Sequence, residues 1–166
     1  MVDPRHPLTA RVAVNHIWLR HFGQPLVEDV TDFGRRSASP PMQELLDYLA
    51  AYLISQDWRM KSLHRLIVTS EAYRRMSSTQ GADSASLRID PDNHFYWRRL
   101  PVRMESQVVR DSMRYLASDL DLQMGGPTID PSGGEGRARR SLYFTHSRDQ
   151  QHLFLSMFDD AAILAC

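Results

Sequence analysis

Lysine is almost missing from this chain. Of its 20 basic residues one is lysine, Lys61, and the other 19 are arginine. Net charge is missing too, because 20 Asp and Glu offset the 20 cations. A balanced chain lacks the basic excess of a general nucleic-acid binder or an anionic-membrane module, so neither partner is expected. Cysteine occurs once, as Cys166, which excludes an internal disulfide and a cysteine-rich metal site. No apolar run reaches the roughly 18 residues of a transmembrane helix, and no charged-then-apolar leader is visible. Nucleotide-binding glycine fingerprints are absent as well.

What is present is ordinary globular material. At 166 residues the chain is long enough to bury roughly 70 % of its unfolded surface. Its hydrophobic content of 42 % and charged content of 24 % are typical of a folded domain. The Met1-Val2 start and the apolar run Ala161–Cys166 give the expectation of a piece of a longer protein.

Apolar periodicity places four helices. The first spans 8–22, between Pro7 and Gly23, with Leu8, Val12, Leu19 and Phe22 on its expected inner face and Trp18 on the flank. The second, about 41–56, carries Met42, Leu45, Leu46, Leu49, Tyr52 and Leu53 at helical spacing. The third runs from about 60 to 76, and the fourth, about 102–118, is expected to turn Met104, Val108, Val109, Met113 and Leu116 inward. Residues 77–90 are small and polar and read as a mobile loop. Ser141–Thr145 has β propensity and reads as one strand of a hairpin. The expected class is mainly α, a small helical bundle with a minor β-hairpin element near the C-terminus. It reads as a single domain over 1–166, with a helical part at 7–76 and a helix plus hairpin part at 91–166.

Polar residues fall where apolar ones are expected. Asn15 projects into the middle of the first helix's inner face, with Arg11 one turn before it. Buried without partners, such groups would cost several kcal/mol, so both should be fully hydrogen-bonded. They either line a pocket or act as a structural clamp, and the clamp is favoured. Arg103, Arg110 and Arg114 share one side of the fourth helix, with Glu105 and Asp111 near its apolar edge. The planar fork of arginine suits buried carboxylates, and Arg11 or Arg74 is expected to pair with Glu105 or Asp111.

Other candidates are weaker. The histidines show no ligand spacing, and His16 and His21 fall on different sides of one helix, so no metal is expected. Asp32-Phe33-Gly34 copies a kinase tripeptide without its companions, and Ser70 and Ser141 lack a nucleophile elbow. Arg137, Arg139 and Arg140 follow a glycine-rich turn and are candidates for an anionic ligand, against a bland reading as a solvated loop. Trp18, Trp58 and Trp97, with His94, Phe95 and Tyr96, are a candidate sugar platform, against a reading as core.

The strings Pro7–Trp18, His21-Phe22-Gly23, Asp32-Phe33-Gly34, Leu63–Ser70, Tyr73-Arg74, Asp90–Asn93, Arg103-Met104-Glu105, Arg110-Asp111, Gly125-Gly126-Pro127 and Arg140–Tyr143 recur in a known order. Together they resemble a planctomycete-specific C-terminal domain of unknown function found in cytochrome-type exported proteins. The resemblance spans nearly the whole chain. Arg11, Asn15, Trp18, His21, Asp32, Arg74, Glu105, Arg110 and Asp111 match its pattern. Gln24-Pro25 and Arg59 depart from it, where a glycine-bearing turn and a capping serine are usual.

The resemblance implies an exported or periplasmic multidomain protein, with a c-type haem elsewhere in the polypeptide and a sulfatase-like protein encoded nearby. No Cys-x-x-Cys-His occurs here, so no covalent haem is expected on this stretch. The expected role is an accessory module that docks on other domains of the same polypeptide or binds a substrate. The alternative is a catalytic domain acting on sulfated polysaccharide, with Glu105 or Asp111 as acid/base.

Overall fold

A computed structural model describes residues 3, 6–33, 39–130, 138–147 and 152–158. Seven α-helices lie among the described residues, and β structure is limited to two isolated bridges, so the class is mainly α. The chain divides into two compact units, Met1–Val102 and Arg103–Cys166.

The first unit is a helical bundle with an apolar centre. Helix α1, Thr9–Phe22, packs on α2, Gln43–Ser55, and on α3, Met60–Val68. Gly23 ends α1 in the left-handed region at φ 77°, returning its N–H to the Leu19 carbonyl. A side chain there would also meet Val102, whose Cγ2 lies 2.9 Å from where a Cβ would stand. The face of α1 differs from the one expected. Ala10, Val14, Trp18 and Phe22 are buried, whereas Leu8, Val12 and Leu19 are only half-buried. Alanine, valine and isoleucine lie all round this helix, so apolar spacing alone does not pick a side.

The third helix is shorter than its periodicity predicts. The Thr69 hydroxyl donates to the Arg65 carbonyl at 2.8 Å and the Ser70 hydroxyl to Ile67 at 2.7 Å. These local bonds compete with helix propagation. Ser70 then caps a new turn, α4 (Glu71–Arg74), by accepting the Tyr73 N–H. The polar stretch 77–90, read as loop, contains another short helix, α5 (Ser84–Ile89), capped by Asp83. Asp90 is buried and its carboxylate accepts the His94 and Phe95 N–H groups, which folds the following turn. The turn delivers Tyr96 to the core at a strained φ of 52°.

In the second unit, α6 (Ser106–Leu116) is followed by a 3₁₀ turn, Ser141–Tyr143, and by α7 (Leu153–Ser156). The β-hairpin expected here is not formed. Ser141–Tyr143 coils tightly because the Asp111 carboxylate on α6 captures the Ser141 N–H at 2.9 Å. Only a single bridge, Ile129 to Phe144, follows it. The inner face expected for α6 is also reversed. Met104, Val108, Met113 and Leu116 are exposed, while Ser106 and Arg110 are buried.

Candidate functional site

Arg11 and Asn15 both turn out to be fasteners within the first unit. The Arg11 Nε donates to Asp47 on α2 at 2.5 Å, and its Nη1 donates to the Pro7 carbonyl at 2.7 Å. Gln43 also donates to that Asp47 oxygen, and the Arg11 contact holds the Asp47 carboxyl below its usual range. Asn15 is 1 % exposed and grips the loop after α1 twice, donating to the Val27 carbonyl at 3.0 Å and accepting the Val27 N–H at 2.9 Å. Leu26 and Val27 are buried beside it. Both residues therefore fit the clamp reading rather than a pocket lining.

Trp18 is core. It stacks on Phe22 with centroids 4.1 Å apart and meets Tyr96 edge-on at 5.2 Å. Its buried indole N–H lies toward the Tyr96 hydroxyl without forming a hydrogen bond of good geometry. Burial pushes the Tyr96 phenol up from its ordinary value. Asp32 and Arg74 are exposed. The Asp32 N–H donates to Asp29, and Arg74 lies 3.5 Å from Glu71 on its own short helix.

His21 has a partner that spacing does not reveal. Its Nε2 lies 2.8 Å from Nδ1 of His64 on α3, in hydrogen-bond contact, with the rings edge-on. Tyr73 meets the His21 ring edge-on, and Arg99 lies over the Tyr73 ring at 4.2 Å while donating to the His21 carbonyl. Burial holds the His21 imidazole below its ordinary value, helped by His64 and Arg99. The two histidines are 43 residues apart, so only the packing of α1 on α3 joins them.

The second unit is organised around Arg110. Its side chain is buried, and Nη1 donates to Asp111, to the Arg139 carbonyl and to the Ser141 hydroxyl at 3.0–3.2 Å. The guanidinium covers the Phe144 ring at 4.5 Å. Burial, then repulsion from Arg114, lowers the Arg110 pKa, while Asp111 and Asp119 oppose both. Ser141 completes the network, its hydroxyl donating to Asp111 at 2.6 Å. Asp111 is thus engaged by a backbone N–H, a hydroxyl and a guanidinium, and anchors the Ser141 turn to α6.

Beside this network lies an open groove of about 750 Å³. Val108, Tyr115, Leu116, Leu120, Leu122 and Leu142 form its apolar wall. Glu105, Asp111 and Arg140 stand on its polar side. The groove brings together both carboxylates singled out as acid/base candidates and one of the three anion-binding arginines. Arg140 Nε is 3.9 Å from Asp111. Arg139 is used structurally, donating to the Gln123 and Gly125 carbonyls and covering Tyr143 at 4.0 Å. Arg137 lies outside the described residues, and Arg103 is exposed ahead of α6.

Arg11, Asn15, His21 and Arg74 belong to one unit, and Arg103, Glu105, Arg110 and Asp111 to the other. Within their own units, Arg11 pairs with Asp47, Arg74 with Glu71 and Arg110 with Asp111. Among the described residues no three His, Cys, Asp or Glu side chains cluster to hold a metal ion. No helix among them is long and apolar enough to cross a membrane.

Against known families, residues 1–166 match the sequence model of PSD1, a protein of unknown function (DUF1553). The chain belongs to this family. No curated protein and no solved structure matches it. Asp47, Ser141 and His64 were the partners that sequence patterns did not pick out. Each lies more than 25 residues from the side chain it serves.

Proposed function

We propose that this DUF1553 domain is a docking module, and that the groove beside α6 receives an apolar segment from another domain of the same polypeptide. One observation carries the reading: the second unit turns its large apolar side chains outward. Leu116 is 83 % exposed, and Val108, Tyr115, Leu122 and Leu142, which line the same groove, are also exposed. Contiguous apolar surface of this kind is characteristic of interaction sites. Glu105 and Arg140 on its polar side supply opposite charges that fix orientation rather than affinity.

The wider setting follows from the resemblance to planctomycete cytochrome-type proteins. In that setting the module sits in an exported or periplasmic protein, alongside a c-type haem domain, with a sulfatase-like protein or polysaccharide as a further partner. The catalytic alternative on sulfated polysaccharide has less support, because Asp111 is bound up with Ser141 and Arg110.

The test is calorimetric titration of this domain with the remaining domains of its polypeptide. Leu116→Arg should abolish binding while leaving the melting temperature unchanged. Unaltered affinity in Leu116→Arg and in Leu122→Arg would remove the groove from the interaction.

A further inference from the structure

We propose that the His21–His64 hydrogen bond is a proton-operated clasp fastening α1 to α3, closed while one of the facing nitrogens can accept and opened when both rings are doubly protonated. The geometry requires a single proton between the rings. At 2.8 Å, His21 Nε2 and His64 Nδ1 form one hydrogen bond, in which one nitrogen donates and the other accepts. A neutral pair satisfies this, and so does a singly charged pair. Two imidazolium rings would point two N–H groups at each other across the same gap.

The surroundings add to the penalty. His21 lies on α1 and His64 on α3. The groups packed around them are the Tyr73 phenol of α4, edge-on to His21, and the Arg99 guanidinium. Arg99 is held in place, covering Tyr73 at 4.2 Å and donating to the His21 carbonyl. A charged His21 would thus face a fixed cation and a phenol ring, while Phe22, the next residue, is core. Opening the clasp loosens the end of α1 where it packs on α3.

The sign follows from the imidazole being held below its ordinary value in the folded state. Stability from the clasp is full above the unfolded value of about 6.5 and falls as the pH drops through it. Histidine is suited to such a switch because its charge changes in this window.

The decisive comparison uses His21→Gln/His64→Asn, whose amides place donor and acceptor atoms near the two ring nitrogens but do not titrate. Between about pH 7.5 and about pH 5, the wild-type melting temperature should fall by roughly 5 °C more than that of the double variant. Proton NMR of the wild-type ring resonances gives a reading that needs no variant. The His21 ring should titrate below its ordinary value, and its protonation should be accompanied by loss of amide protection at the end of α1. Parallel pH profiles in the two proteins, or protonation of His21 with amide protection unchanged, would overturn the clasp.

Discussion

The two units solve the same problem with opposite materials. In the first, Val14, Trp18, Phe22, Leu46, Leu53, Leu63 and Ile67 form an apolar centre, and the polar residues fasten its edges. In the second, Leu155 is the one apolar side chain that is buried among the described residues, while Ser106, Arg110 and Ser141 are buried with it. The middle of that unit is a hydrogen-bonded arginine network, while Leu116, Leu122, Leu142 and Leu153 are exposed. A polar centre adds little net stability, since desolvation offsets much of its Coulomb energy, but it fixes a particular arrangement. The first unit is built by burial. The second is built by geometry, which leaves much of its apolar area exposed.

Substitutions should separate the two modes. Leu53→Ala, in the apolar centre of the first unit, should lower stability by about 3 to 5 kcal/mol in a urea titration. Arg110→Ala should cost about 3 kcal/mol, because it strips Asp111 and Ser141 of a buried partner. Hydrogen exchange should locate that loss in the Ser141–Tyr143 turn and α6. Leu116→Ala should change stability by less than about 0.5 kcal/mol, as expected for an exposed position. In this unit an arginine would then outweigh a leucine. A large effect at Leu116 with a small one at Arg110 would reverse the assignment.

The sequence carries the first unit well where one face is clearly apolar. Helix α2 spans Gln43–Ser55, inside the 41–56 expected from its leucine stripe, and Gly23 stops α1 as its position suggests. Asn15 and Arg11 stand out as buried or half-buried polar residues that need partners, and the structure supplies them. Where several contacts compete, the pattern misleads. Apolar spacing on α6 is strong, yet it marks an outward face, because periodicity shows that a helix has two sides and not which side is covered. Ser141–Thr145 has strand-forming residues, but a carboxylate from α6 binds its backbone first. The His21–His64 pair leaves no local trace, since it depends on two helices meeting.

The double grip of Asn15 on Val27 has a consequence for how this chain tolerates change. Both bonds go to main-chain atoms, so the amide reads residue 27 as a peptide unit and is blind to its side chain. The side chain of residue 27 is constrained separately, because Val27 is buried in the core, while proline, which has no N–H, would also lose one of the two main-chain bonds. One loop position is thus held twice over, its side chain by the core and its peptide unit by an amide twelve residues away in the helix.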